Sequence, residues 1–137
     1  MERIVRILQD GEHSCVIANG AHIGAFERRG VADLLDMLHN NPEFLRGASV
    51  ADKVVGKAAA ALLITGGVKA VYAEIISRDA LELLRDAGIE TSYGKEVRRI
   101  GNRFRTGLCP LEKCCIKTTN AAECVAAVEE FMRVGQG

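Results

Sequence analysis

The first forty residues predict a helix, a β-hairpin and a second helix. Apolar side chains recur at helical spacing over residues 2–9. Two short apolar runs, residues 13–18 and 21–26, are separated by an Asn-Gly pair, which favours a tight hairpin turn because both positions tolerate positive φ. We therefore predict two antiparallel strands, followed by an amphipathic helix over residues 31–39.

The middle of the chain predicts a buried strand followed by an apolar helix. Residues 48–51 have the composition of a short buried strand. We predict a helix from about Asp52 to Thr65, because Asp52 is a favourable N-cap and two glycines follow Thr65. The second half of this helix is apolar on every side, which is typical of a helix at the centre of a domain.

A strand, a helix and a second strand then follow at the spacing of a βαβ unit. The strands are predicted over residues 68–76 and 89–93, and the helix over residues 78–87, with Ser77 as its N-cap. A connection of this kind predicts two parallel strands joined by a right-handed crossover.

The last third of the chain predicts a polar loop over residues 94–108 and two helices. Cys109-Pro110 opens the first of these helices, which runs to about Lys117, and Asn120 caps the second, which runs to about Val134. The complete order predicts an α/β fold, a three-layer α/β/α sandwich with a mixed sheet. We expect one domain over residues 1–137.

Several stretches of the sequence resemble the cytidine-deaminase-like fold. Gly67–Ala73 and Ala80–Glu90 are similar to its βαβ segment. Two sharper motifs, Val50–Ala60 and Asn102–Glu112, resemble a family of small prokaryotic proteins known only as a domain of unknown function. The resemblance covers nearly the whole chain and implies the deaminase-like fold without an established activity. The positions that match the family's motifs are Asp52, Lys53, Gly56, Lys57, Thr106, Gly107, Cys109, Pro110 and Glu112.

Composition excludes several classes of protein. The formal net charge is zero, which argues against a general nucleic-acid binder, whose affinity comes largely from phosphate neutralisation. The longest apolar run, Ala58–Ile64, is far too short to span a membrane. No secretory signal precedes the five irregularly spaced cysteines, so we expect a cytoplasmic protein with reduced thiols.

The zinc ligands of active deaminases are not found at the motif positions. Such enzymes use H-x-E and a later P-C-x-x-C. The helix start expected to carry the first motif has Ala51-Asp52-Lys53, and the second motif has Leu108 to Glu112, with a single cysteine. Asp52, Cys109 and Glu112 are a conceivable but poor set of metal ligands. We therefore expect neither a metal nor another cofactor.

Cys109 and Lys53 are the candidate catalytic residues. With proline at the next position, Cys109 would be the N-cap of its helix, where backbone N–H groups and the positive helix end favour a thiolate. Lys53 is expected to begin the central helix, with Lys57 one turn later on the same face. The alternative is structural: Cys109 is a small apolar cap, Glu112 caps the same helix, and the lysines are solvated.

A basic segment surrounds Cys109 and suggests an anionic ligand. It comprises Lys95, Arg98, Arg99, Arg103, Arg105, Lys113 and Lys117, opposed only by Glu96 and Glu112. The expected ligand is a small anion such as a nucleotide or a sugar phosphate, held between two helix starts. The candidate ligand-binding residues are Asp52, Lys57, Asn102, Arg103, Thr106, Gly107 and Glu112. The alternative is a solvated loop with ordinary surface charges.

Three functional hypotheses remain open from the sequence. The first is binding without chemistry, the second an enzyme with Cys109 as nucleophile, and the third a thiol sensor that joins Cys109 to Cys114. Cys15, Cys115 and Cys124 are expected to be core residues. Relatives of this fold commonly pair, so the resemblance also allows a homodimer.

Overall fold

The computed structural model describes residues 1–27, 31–100 and 110–135. Within these ranges the chain forms seven helices and five strands. In chain order they are α1 (Glu2–Asp10), β1 (Cys15–Asn19), β2 (His22–Phe26), α2 (Ala32–Asn40), α3 (Pro42–Leu45), β3 (Ser49–Val55), α4 (Lys57–Gly66), β4 (Ala70–Ser77), α5 (Arg78–Asp86), β5 (Glu90–Val97), α6 (Pro110–Cys115) and α7 (Ala121–Gly135).

The five strands form one mixed sheet in the order β2-β1-β3-β4-β5. Strand β1 is antiparallel to both of its neighbours, whereas β3, β4 and β5 are parallel to one another. It follows that β2, β3, β4 and β5 all run in one direction and end at the same edge of the sheet. We call this the carboxyl edge; its strands end at Phe26, Val55, Ser77 and Val97.

Helices cover both faces of the sheet, as the three-layer prediction requires. On one face, Ile4 and Leu8 of α1 pack against Val16 and Ala51. On the other face, α4 lies at the centre and contacts α2, α5, α6 and α7. The α/β fold class and the mixed sheet predicted from the sequence are therefore confirmed.

The ends of the central elements agree with the local sequence signals. Helix α4 is buried along nearly all of its length, as its apolar composition predicts, and it ends where Gly67 adopts the left-handed conformation with φ of 78°. The hydroxyl of Ser77 accepts a hydrogen bond from the Ala80 N–H at 3.2 Å, which confirms Ser77 as the N-cap of α5.

The predicted start of the central helix, near the predicted site, is wrong. Asp52 does not cap the central helix, because β3 continues through Asp52 and Lys53 to Val55, and α4 begins only at Lys57. Two adjacent β-branched residues, Val54 and Val55, favour the extended strand. The residue before the helix is Gly56, which has an extended backbone and no side chain with which to cap.

Three further differences concern element length. Strand β5 extends to Val97, so the predicted loop over 94–108 begins later than expected. Helix α6 ends at Cys115 rather than at Lys117, and the short helix α3 was not predicted.

No helix in the described part of the chain is both long enough and apolar enough to cross a membrane.

Candidate functional site

The start of α4 is occupied by a carboxylate from another helix. Oε1 of Glu112, in α6, accepts a hydrogen bond from the backbone N–H of Lys57 at 2.8 Å. This N–H is one of the groups at a helix start that have no partner within the helix. Gly56 makes the approach possible, because a Cβ atom there would overlap Oε1 of Glu112 and lie 2.8 Å from its Cδ. The sequence motif containing Gly56 and the motif containing Glu112 thus meet at this point.

The environment of Glu112 favours its neutral form. The side chain is buried, and burial is the main reason that its pKa lies above the ordinary value. The hydrogen bond from Lys57 and the charges of Arg99 and Lys57 lower the pKa, whereas the charge of Asp79 raises it. The balance leaves a carboxyl group that takes up a proton more readily than an exposed glutamate does.

Lys57 contributes more than its backbone to this site. Its side chain is buried, and Nζ donates a hydrogen bond to the carbonyl oxygen of Thr118 at 2.7 Å. An ammonium group has three N–H donors, and this is the bond that Nζ makes within the described residues. Lys57 therefore joins the start of α4 to the segment that links α6 to α7.

Asp52 and Cys15 form a second buried pair toward the carboxyl edge. They are directly opposite each other on β3 and β1, and Asp52 Oδ1 accepts a 3.3 Å hydrogen bond from the Val54 N–H. Burial raises the pKa of Asp52 to about 7, against an opposing effect of its hydrogen bonds. Burial and the neighbouring Asp52 also raise the pKa of the Cys15 thiol, so Cys15 is not a thiolate. Its predicted place in the core is confirmed.

Lys53 does not occupy the predicted position at the start of the central helix. It lies in β3, and successive side chains of a strand point to opposite faces of the sheet. Lys53 follows Asp52 in the sheet, β3 ends only at Val55, and α4 begins at Lys57. Lys53 and Lys57 are therefore not neighbours on one helix face.

The remaining predicted site residues lie outside the described part of the chain. They are Asn102, Arg103, Thr106, Gly107 and Cys109. Of the basic segment, Lys95 and Arg98 lie at or just beyond the end of β5 and are exposed, as is Arg99. Lys113 is in α6, and Lys117 follows it.

The structure also contains a disulfide, whereas the irregular cysteine spacing predicted reduced thiols throughout. Cys115 and Cys124 form a disulfide between α6 and α7, with Cα atoms 5.2 Å apart. Both residues are fully buried, which confirms their predicted place in the core. The sequence signal was present only as two cysteines at the ends of adjacent predicted helices, and their nine-residue separation does not by itself distinguish a bond from packing.

No three His, Cys, Asp or Glu side chains in residues 1–27, 31–100 and 110–135 are grouped so that they could hold a metal ion. A surface cleft of about 550 Å³ lies along α1 and is also lined by Gly11 and His13. None of the predicted site residues that the structure describes lines this cleft.

Comparison with known proteins assigns the chain to a family. The model of the domain of unknown function DUF1893, TM1506, matches residues 3–132. The chain therefore belongs to the DUF1893 family.

A solved structure agrees with this assignment. The crystal structure of the DUF1893 family protein TM1506 from Thermotoga maritima is similar to this chain, with a TM-score of 0.86 and 25% sequence identity, over 94% of this chain and 87% of that one. No curated protein matches the sequence.

Proposed function

We propose that this chain is a zinc-free protein of the deaminase-like fold that binds a small anionic molecule, such as a nucleotide or a sugar phosphate, at the carboxyl edge. In open α/β sheets, ligands bind outside the carboxyl ends of the strands. The observation that carries the proposal is the contact between Glu112 and Lys57, where the start of α4 already donates a hydrogen bond to a carboxyl oxygen.

The basic segment supplies the charge that a phosphate would need. Arg99 is exposed, and its charge lowers the pKa of Glu112, so its guanidinium group acts electrostatically on the carboxyl group at the start of α4. Guanidinium groups bind phosphate oxygens through paired N–H donors. In the proposed complex, the guanidinium group of Arg99 contacts the ligand directly, and the ammonium group of Lys57 donates further N–H hydrogen bonds to it.

Glu112 sets the conditions under which the anion binds. A phosphate beside the Glu112 carboxylate is repelled by it, and protonation of Glu112 removes this repulsion. Because the pKa of Glu112 is already raised, an arriving anion drives proton uptake there more readily than at an exposed glutamate. Affinity is therefore expected to fall as the pH rises through the pKa of Glu112.

Thermal melting with defined phosphates tests this proposal. The probes are inorganic phosphate, ribose 5-phosphate and adenosine monophosphate, each titrated to saturation at low salt. A ligand at 100 times its Kd stabilises the native state by about 2.7 kcal/mol, which corresponds to a rise in Tm of roughly 5–10 °C for a chain of this size. The absence of a saturable shift with all three probes would contradict the proposal.

Two variants and a matched control locate the effect. Arg99→Gln is expected to weaken binding about tenfold, and Glu112→Gln to strengthen it, because the first removes an attracting charge and the second a repelling one. Arg85→Gln serves as the control, because Arg85 is an exposed arginine in the last turn of α5 and is not part of the basic segment. Equal losses for Arg99→Gln and Arg85→Gln would indicate only nonspecific charge attraction.

The alternative hypothesis, an enzyme that uses a cysteine nucleophile, depends on Cys109, which lies outside the described part of the chain. In that alternative Cys109 is the nucleophile and Lys53 its charge partner, yet Lys53 lies in β3 and not at the start of α4. The pH dependence of iodoacetamide labelling at Cys109 tests it, since a free thiol has a pKa of about 8.5. Half-maximal labelling well below that value would favour the enzyme over simple binding.

A further inference from the structure

The disulfide closes a loop that holds the side-chain nitrogen of Lys57. Thr118 lies between Cys115 and Cys124, in the segment that links α6 to α7. Its backbone N–H and its hydroxyl both donate hydrogen bonds to the Cys115 carbonyl oxygen, at 3.1 and 2.6 Å. Its own carbonyl oxygen accepts the 2.7 Å hydrogen bond from Nζ of Lys57. The position of this acceptor is therefore fixed within the loop that the disulfide closes.

The same disulfide anchors the helix that holds the backbone nitrogen of Lys57. Glu112 precedes Cys115 by three residues in α6, so the two side chains lie about one helical turn apart. Glu112 accepts the hydrogen bond from the Lys57 N–H, and Sγ of Cys124 lies 3.8 Å from the Lys57 carbonyl oxygen. Both nitrogens of Lys57 are thus bonded to residues whose positions depend on the bond between α6 and α7.

We propose that the disulfide between Cys115 and Cys124 is a redox switch, which keeps both nitrogens of Lys57 occupied while it is oxidised and releases them when it is reduced. In its consequence for ligand binding, this inference rests on the proposed anion site, because Lys57 is a residue that contacts the anion there. The switch differs from a sensor that joins Cys109 to Cys114, because neither of those residues belongs to the exchanging bond.

Reduction proceeds by two steps of thiol–disulfide exchange with a dithiol reductant. A thiolate of the reductant attacks one sulfur of the bond, and the other protein sulfur leaves as a thiolate and takes up a proton. The second thiol of the reductant loses its proton, attacks the mixed disulfide and releases the remaining cysteine, which is protonated. The dithiol becomes a cyclic disulfide, and two electrons pass to the protein. Because both cysteines are fully buried, the first attack follows local opening of α6 and α7.

The reduced form is expected to bind an anion more tightly. In the oxidised form, an arriving phosphate must displace the Glu112 carboxyl group from the Lys57 N–H and compete with the Thr118 carbonyl oxygen for Nζ. When the bond is broken, α6 and the link to α7 open more readily, so both displacements cost less free energy. We expect the affinity for phosphate to rise by about fivefold or more, which is the usual size of coupling between two sites.

Amide hydrogen exchange, followed by NMR of the full chain without ligand, tests the switch itself. Oxidised protein and protein reduced with dithiothreitol are compared at the backbone N–H of Lys57. The matched control is the backbone N–H of Ala80, which also lies at a helix start and is held by a side-chain oxygen, that of Ser77, but in α5. Reduction is expected to accelerate exchange at Lys57 by about tenfold or more and at Ala80 by less than about twofold.

A general loosening of the fold is distinguished by the same comparison. Equal acceleration at Lys57 and Ala80 would overturn the proposal, because the response would then not be specific to the residues that the disulfide anchors. An unchanged exchange rate at Lys57 would overturn it as well.

Two variants assign the response to this bond. Cys124→Ser cannot form the disulfide, so its Lys57 amide is expected to exchange at the fast rate with and without reductant. Cys109→Ser keeps the bond and is expected to respond as the wild type does. The proposal is overturned if Cys124→Ser responds to reductant like the wild type, if Cys109→Ser has lost the response, or if mass spectrometry of oxidised protein finds no linkage between Cys115 and Cys124.

Titration of both redox forms with adenosine monophosphate separates this inference from the proposed function. Tighter binding by the reduced form, by about fivefold or more, supports both. A Lys57 amide that responds to reduction, without saturable binding in either form, supports the switch and contradicts the anion site. Binding by the oxidised form that is equal or tighter overturns the switch and leaves the anion site supported.

Discussion

Gly56 and Glu112 depend on each other through one close contact. A hydrogen atom in place of a side chain at Gly56 leaves the space in which the Glu112 carboxylate reaches the Lys57 N–H. Both positions belong to motifs that stood out in the sequence. Their contact could not be predicted, because the helix carrying Glu112 was expected to meet a helix that began four residues too early.

Gly56→Ala tests this dependence. The added methyl group displaces the Glu112 carboxylate and breaks its hydrogen bond, so we expect a loss of about 1–3 kcal/mol in the free energy of unfolding. Urea denaturation measures the change. In a Glu112→Ala background the same substitution is expected to cost much less, because the clashing group is absent, and an equal cost in both backgrounds would contradict this explanation.

The raised pKa of Asp52 predicts a specific pH dependence of the free energy of unfolding. Its pKa rises from 3.8 in the unfolded chain to about 7 in the fold, so the folded state holds the extra proton between these values. The corresponding stability is fully present below pH 3.8 and is lost as the pH rises through about 7. Between pH 5 and 7 the contribution falls by at most about 1.4 kcal/mol per pH unit.

Asp52→Asn removes this titration and leaves a group of similar size. We expect the difference in unfolding free energy between wild type and variant to decrease steadily from pH 5 to pH 7, as followed by urea denaturation. Glu130→Gln is the control, because Glu130 is exposed on α7 and pairs only with Arg133 among the described residues. A difference that does not change with pH would show that Asp52 titrates outside this window.

At the scale of elements, the sequence predicted the end of a helix or the position of a hairpin correctly where one residue decides the local backbone geometry. The Ser77 cap and the glycine after α4 each fix a backbone conformation through neighbours in sequence, and both predictions were confirmed. The predicted hairpin was also confirmed, but its two loop residues are Gly20 and Ala21, because Asn19 remains in β1 and pairs with His22. The end of β3 depends instead on partners distant in sequence. Asp52 is a good helix cap in isolation, but pairing with Cys15 on β1 and with Ala73 on β4 keeps it in the sheet.

The disulfide between α6 and α7 is expected to stabilise these elements measurably. A bond that closes a loop of about ten residues lowers the entropy of the unfolded chain by an amount equivalent to about 2–3 kcal/mol. Urea denaturation of oxidised and reduced protein measures the difference. Cys124→Ser is expected to unfold at the same urea concentration with and without reductant, whereas a similar response to reductant in wild type and variant would contradict the assignment.

For the molecule as a whole, the direction of the strands determines where the site can form. Four strands end at the carboxyl edge, and the starts of α2, α4 and α5 follow them within a few residues. The sequence predicted the layers and the parallel βαβ unit, because hydrophobic periodicity reports which side chains face a core. It could not predict the burial of Asp52, Lys57 and Glu112, because the environment of a polar residue depends on the final packing.

The most direct test of the anion site is amide-resolved NMR of the full chain during titration with adenosine monophosphate. The backbone N–H of Lys57 and that of Arg99 are expected to shift in a saturable manner with one common Kd, because the ligand competes with Glu112 at the first group and contacts the second residue directly. The shifts are expected to weaken as the pH is raised. Unchanged resonances at both residues under saturating ligand, or saturable shifts confined to other parts of the molecule, would contradict an anion site at the carboxyl edge.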